Sequence, residues 1–176
     1  ARAYLPPQSV RDGRIEIRVV EGSLSDVRVQ VAEGSRLRAS VIEAHTARIP
    51  RDAPLEQAAV DRALLLLSDL PGANLNAALA AGTQPGQTIL RVDSQPAPLV
   101  SGRLEADNYG SRYTGRERLG GTLNVNSPLG LGEQISARVL ASDSDLYYGR
   151  LAAQVPVGSD GLSTGASLTH TRYVLG

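Results

Sequence analysis

From about residue 99 onward the chain repeats one pattern, short segments in which apolar and polar side chains alternate, divided by glycine- and serine-rich turns. In RLGGTLNVN, Leu119, Gly121, Leu123 and Val125 alternate with Gly120, Thr122, Asn124 and Asn126. In EQISARVLAS, Ile135, Ala137 and Val139 alternate with Gln134, Ser136 and Arg138. In LYYGRLAAQVPV, Tyr147, Leu151, Ala153 and Val155 alternate with Tyr148, Arg150 and Gln154. LVSGRLEAD and LSTGASLTHTRY fit less cleanly but still read as strands. A period of two puts each set on its own face of a sheet. Two architectures produce it: a soluble sheet with one wet face, and an outer-membrane barrel wall whose strands of ~9–11 residues are apolar toward lipid. Two details favour the wall. The apolar set is small and aliphatic with no second sheet in sight to cover it, and tight connections (SPLGLG, PVGSDG) alternate with longer polar ones (DNYGSRYTG, ASDSD).

The first half is different. Two prolines in SQPAPL, at 94–99, mark a boundary. Residues 1–22 read as a hairpin, with a short strand before Pro7, a turn at Asp12–Gly13, and Ile15, Ile17 and Val19 opposite Arg14, Glu16 and Arg18. A lone hairpin is marginal, so its partners are expected upstream. Residues 23–95 read β-α-α-β-β, a small α+β unit. SDVRVQV is its first strand. SRLRASVIEAHTARI is a short helix with Leu37, Val41 and Ala44 or His45 on one side. PLEQAAVDRALLLLSDL is the second, with Pro54 in its first turn and Leu55, Ala59, Ala63, Leu66 and Leu70 on one face. Ala73 to Ala80 and Gln87 to Asp93 close the unit as strands.

Composition narrows the functions. The 176 residues hold no Cys, Met, Phe or Trp, and only 6 Tyr. Disulfides, thiolate metal sites and cysteine nucleophiles are thereby excluded, and the core must be built from Leu, Val, Ile and Ala. Lys+Arg and Asp+Glu stand at 18 each, with every basic residue an Arg, so bulk charge gives no footing for nucleic acid. With neither an initiator Met nor a leader, the chain is expected to start inside a longer or processed polypeptide.

Catalytic signatures are missing. His45 and His170 have no recognisable partners and no G-x-S-x-G elbow accompanies them. Gly130-Leu131-Gly132 lacks the third glycine of a dinucleotide fingerprint, and the DSD at 143–145 lacks the glycine and glutamate of a calcium loop. The reading is not an enzyme, with no catalytic, metal or cofactor-binding residues.

YLPPQSVRDGRIEIRVVEG, LLLLSDLPG, DNYGSRYTG, NSPLGLGE and YGRLAAQVPVGSDG, in that order, carry a resemblance. The chain resembles, over nearly its whole length, the outer-membrane transporters of two-partner secretion, the haemolysin-activator and filamentous-haemagglutinin-transporter type. That resemblance implies periplasmic polypeptide-transport-associated (POTRA) domains followed by a transmembrane barrel. Residues 1–22 would be the C-terminal hairpin of a first POTRA domain, 23–96 a second POTRA domain, and 97–176 the first strands of an antiparallel outer-membrane β-barrel. SPLGLG and PVGSDG would be periplasmic turns and DNYGSRYTG the first surface loop. A partial barrel of this kind is not expected to transport alone.

The same resemblance implies the partners: a secreted exoprotein (adhesin, haemolysin or contact-dependent inhibition toxin) and outer-membrane lipid, no nucleic acid, a monomeric transporter, and no cofactor. If the POTRA sheet is built as in the family, the strand at Ala73 is an edge, and Asn74, Leu75, Asn76 and Leu79 are the substrate-binding candidates. Asn124, Asn126, Arg138, Arg150 and Gln154 are the pore-lining candidates. Two alternatives stay open: a barrel-assembly factor of the same superfamily, and a soluble periplasmic binding module.

Overall fold

The computed structural model describes residues 2–8, 15–51 and 53–174, which form two helices and ten strands. Strands β1 (Arg2–Tyr4) and β2 (Arg18–Val20) make an antiparallel pair. Ile15, Ile17 and Val19 are exposed. Arg14 and the turn expected at Asp12–Gly13 lie outside the described residues.

An α/β unit follows, with β3 (Ser23–Val31), α1 (Ala39–Thr46), α2 (Gln57–Ser68), β4 (Ala73–Ala81) and β5 (Gln87–Pro96). Its sheet order is β3-β5-β4, with β3 parallel and β4 antiparallel to the central β5. Both helices cover one face of it. The core is wholly aliphatic, comprising Leu24, Leu37, Ile42, Ile49, Val60, Ala63, Leu67, Leu90 and Val92. That is the outcome required of a chain without Phe or Trp.

Three local readings need correction. Pro54 is not in the first turn of α2. It bridges Ser23, while the Leu55 N–H donates to the Gly22 carbonyl at 2.7 Å. These bonds hold residues 54 and 55 extended and delay the helix to Gln57. The buried stripe of α2 is therefore Val60, Ala63 and Leu67, not the one through Ala59 and Leu66. In α1 the buried residues are Ile42, His45 and Thr46, and Leu37 packs from the segment before the helix. Finally, β5 runs past Asp93 to Pro96, because Ala73, Asn74 and Leu75 of β4 need partners there.

The remaining strands, β6 (Val100–Asp107), β7 (Arg118–Asn126), β8 (Gln134–Ser142), β9 (Tyr147–Val157) and β10 (Leu162–Arg172), form an antiparallel meander in the order β10-β9-β8-β7-β6. The turn segments 127–132 and 158–161 emerge at the end facing the α/β unit. The segments 108–117 and 143–146 emerge at the other end.

Candidate functional site

Three features adjoin one another: a free strand edge with a groove, a junction, and a sheet with two unlike faces. β4 is the outer strand of its sheet. The Gly82 N–H donates to the Gln87 carbonyl, which fixes the hydrogen-bonding parity of the hairpin. Counting back along the register, Ala78 and Asn76 bond to β5, whereas Leu75, Ala77 and Leu79 direct their N–H and C=O groups outward. Beside that edge, Asp61, Leu64, Leu65, Leu67 and Ser68 of α2 with Leu75, Ala77 and Val92 line a groove of about 460 Å3. Leu65 is 65% exposed and Leu79 is 55% exposed.

The four edge candidates do not form one patch. Leu75 and Leu79 share the helix-facing side. Asn74 and Asn76 lie on the open side, and Asn74 Nδ2 donates to the Pro96 carbonyl at 3.2 Å. Leu65 was missed by sequence reasoning, and Ala77 was singled out only as a site where proline should weaken client binding. The signal was present in the LLLL of 64–67, since four consecutive leucines exceed the stripe one helix face can bury.

At the junction, the turn 127–132 is braced by its own side chains. The buried Glu133 carboxylate accepts from the Leu129 and Leu131 N–H groups, and Ser127 Oγ accepts from the Gly132 N–H at 3.0 Å. The turn then meets the α/β unit backbone to backbone, with the Arg38 N–H donating to the Gly130 carbonyl at 3.0 Å. Contact here is so close that a Cβ at Gly72 would sit 2.3 Å from Ser127 Cβ. The second turn is tied by Arg48, which donates to Asp160 at 2.5 Å and to Ser159 Oγ at 3.2 Å, and by Arg62, which donates to the Asp160 carbonyl at 3.2 Å. Exposed pairs like Arg48–Asp160 contribute at most about 1 kcal/mol. Fit of the turns therefore sets the junction more than charge does.

A cavity of about 350 Å3 lies between the two bodies. Its lining joins Leu66, Ser68 and Asp69 at the end of α2 to Gln134, Gln154 and Ser163 of the sheet. His45 also borders it, with Nδ1 donating to the Val41 carbonyl at 2.8 Å. Ser68 borders both this cavity and the β4 groove.

The register of β6–β10 sorts the side chains. Leu104, Leu119, Leu123, Ile135, Val139, Leu151 and Leu168 fall on one face, with Leu104 86% and Leu168 74% exposed. Among the described residues no second layer covers them. All five wall candidates fall on the other face: Asn126 and Gln154 both pair with Gln134, Asn124 pairs with Ser136, and Arg138 pairs with Arg150. Asn126 Oδ1 accepts from Gln134 Nε2 at 3.0 Å, and Gln154 Nε2 donates to Ser163 Oγ at 2.9 Å. Arg103, Glu105, Asp107 and Arg118 also belong to this polar face, though sequence reasoning passed them over. The R-x-E-x-D spacing of residues 103–107 was the available signal. Among the described residues no helix is long and apolar enough to cross a membrane, which leaves crossing by strands untouched.

Comparison with known proteins bears on these features. Residues 86–172 match the family described as haemolysin secretion/activation protein ShlB/FhaC/HecB. The whole chain aligns with the heme/hemopexin transporter protein HuxB of Haemophilus influenzae (strain 86-028NP), at 30% identity and over 31% of that protein. The outer membrane transporter CdiB of Escherichia coli O6:K15:H31 is 26% identical over 76% of this chain and 22% of its own length. The chain thus spans under a third of the length of these relatives. Among solved structures, CdiB from Escherichia coli superposes with a TM-score of 0.70 at 23% identity, over 99% of this chain and 32% of that one. BamA from Haemophilus ducreyi lacking POTRA domains 1-3 gives 0.53 at 16% identity, over 98% of this chain and 33% of its own.

Proposed function

We propose, from the match of residues 86–172 to the haemolysin secretion/activation family, that this chain is the part of an outer-membrane two-partner secretion transporter that passes an exoprotein from the periplasm into the barrel. In this reading residues 1–22 end a first POTRA domain, 23–96 are a second in the periplasm, and 97–176 begin the barrel. The apolar face of β6–β10 meets lipid and the polar face lines the pore. Eleven-residue strands such as β9 and β10 suit a wall crossed at the usual barrel tilt, for which ~9–11 residues suffice.

One observation carries the reading. The free edge of β4, its groove, the junction cavity and the polar face are contiguous through Ser68, Gln134 and Gln154. An extended client could add to the edge as a strand, its backbone paired with Leu75, Ala77 and Leu79 and its alternate side chains in the groove. From there it would meet amide and hydroxyl groups at the rim before Asn124, Asn126, Arg138, Arg150 and Gln154. None of these needs to do chemistry. The client is a secreted exoprotein, the class to which an adhesin, a haemolysin or a contact-dependent inhibition toxin belongs. The family match and the relatives named transporters favour secretion over barrel assembly.

Deleting the gene tests this. Under the proposal the partner exoprotein disappears from the medium and cell surface while the amounts of other outer-membrane barrels stay unchanged. A general loss of outer-membrane barrels with normal exoprotein export would point to assembly instead.

A further inference from the structure

Charge on the polar face is unbalanced. Arg103, Arg118, Arg138 and Arg150 stand against only Glu105 and Asp107 across the described strands. Asp107 is taken by Arg118 at 2.8 Å. Glu105 serves two arginines, Arg138 at 2.5 Å and Arg103 at 3.5 Å. It reaches Arg138, two strands away, because its register partner on the intervening β7 is Gly120. A Cβ there would lie 3.0 Å from both Glu105 Cγ and Oε1. The carboxylate is thereby spent on β6 and β8.

Arg150 remains. It sits directly opposite Arg138 in the β8–β9 register, with Thr169 on its other side. Among the described residues it forms no ion pair. Like charges directly opposite on neighbouring strands cost stability, and Glu105 is already shared by Arg138 and Arg103, so the pair calls for an anion beyond those of the described wall. The row lies four residues beyond Gln134 at the junction end, about 13 Å along the strand.

We infer that the Arg138–Arg150 pair is a transient docking site for the carboxylates of an acidic polypeptide in transit. The inference rests on the proposed pore. A peptide fits better than a free anion for a physical reason. The site is an open wall with Arg138 43% exposed, and single exposed ion pairs are worth at most about 1 kcal/mol and are screened by salt. A small anion gains too little to stay. A chain confined beside the wall presents carboxylate after carboxylate at high effective concentration, so weak contacts accumulate without trapping it.

The test is made on the complete transporter in a planar bilayer, with a ten-residue oligoglutamate peptide added on the junction side and oligoglutamine as control. Oligoglutamate interrupts the current and oligoglutamine does not. Arg150→Gln weakens the block up to about fivefold, Arg150→Lys largely keeps it, and raising the salt concentration weakens it in all cases. Glu105→Gln moves the effect the other way, strengthening the block by freeing Arg138 and Arg103. A merely structural arginine would not give these opposite signs. Equal block of wild type and Arg150→Gln, or equal block by the two peptides, overturns the inference while leaving the pore intact. If no current flows, and a cysteine at Gln154 resists water-soluble thiol reagents, the pore reading fails and the inference falls with it.

Discussion

Replacing Ala77 by proline is expected to weaken exoprotein capture by the complete transporter at least about tenfold and to leave the α/β unit folded. The Ala77 N–H points away from β5, so its loss breaks no bond of the native ladder. Proline is tolerated on an edge strand for this reason. An added client strand loses that donor and meets the ring in its place. One hydrogen bond is worth about 0.5–1.5 kcal/mol net, and the steric conflict adds to it. Ala78→Pro is the control, since the Ala78 N–H bonds inward to β5 and its loss should damage the fold itself. Binding of unfolded exoprotein to detergent-purified transporter, with protease resistance as the fold check, reads both variants. Normal binding by a folded Ala77→Pro protein would remove strand addition at this edge.

The second large effect is expected at the junction. Gly72 has φ of 105°, a region that costs other residues roughly 1–3 kcal/mol. The added Cβ would also overlap Ser127, whose own Cβ lies 2.3 Å from where it would be placed. Overpacking adds about 1–3 kcal/mol, so Gly72→Val should cost on the order of 2–6 kcal/mol. The overlap, though not the backbone strain, is relieved by parting the turn 127–132 from the α/β unit, because the core around Leu67 and Leu90 does not depend on that contact. Proteolysis between the two bodies should therefore accelerate and exoprotein secretion fall, while the sheet stays intact. Ser127→Gly should rescue Gly72→Ala in part, removing the overlap but not the backbone strain, as a double-mutant cycle would show. Unchanged secretion in Gly72→Val would mean that the junction does not govern passage.

What the sequence revealed, and what it withheld, follows from the range of the forces involved. The alternation in RLGGTLNVN and EQISARVLAS was legible because a period of two is local, and one strand's faces are settled by its own residues. The start of α2 was not legible. Pro54 has every local property of a helix opener, but bonds to Gly22 and Ser23, far away in sequence, hold its segment extended. The wall candidates could be read strand by strand, whereas the pairing of Glu105 with Arg138 could not. It depends on register across three strands and on a glycine whose role appears only when they are side by side. For the edge candidates, Leu75 and Leu79 were accessible to pattern reading. Ala77 was accessible as a proline site on that strand, but the outward direction of its N–H needed the hydrogen-bond parity set by the turn at the end of the hairpin.

The central claim is that one face of β6–β10 meets water inside a pore and the other meets lipid. The chain contains no cysteine, so single cysteines placed along β8 read this directly in outer membranes. Ser136→Cys is expected to react with a water-soluble maleimide, and its neighbours Ala137→Cys and Val139→Cys only with a lipid-soluble one. Equal reactivity of Ser136→Cys and Val139→Cys toward the water-soluble reagent would contradict the account and make the sheet a soluble one.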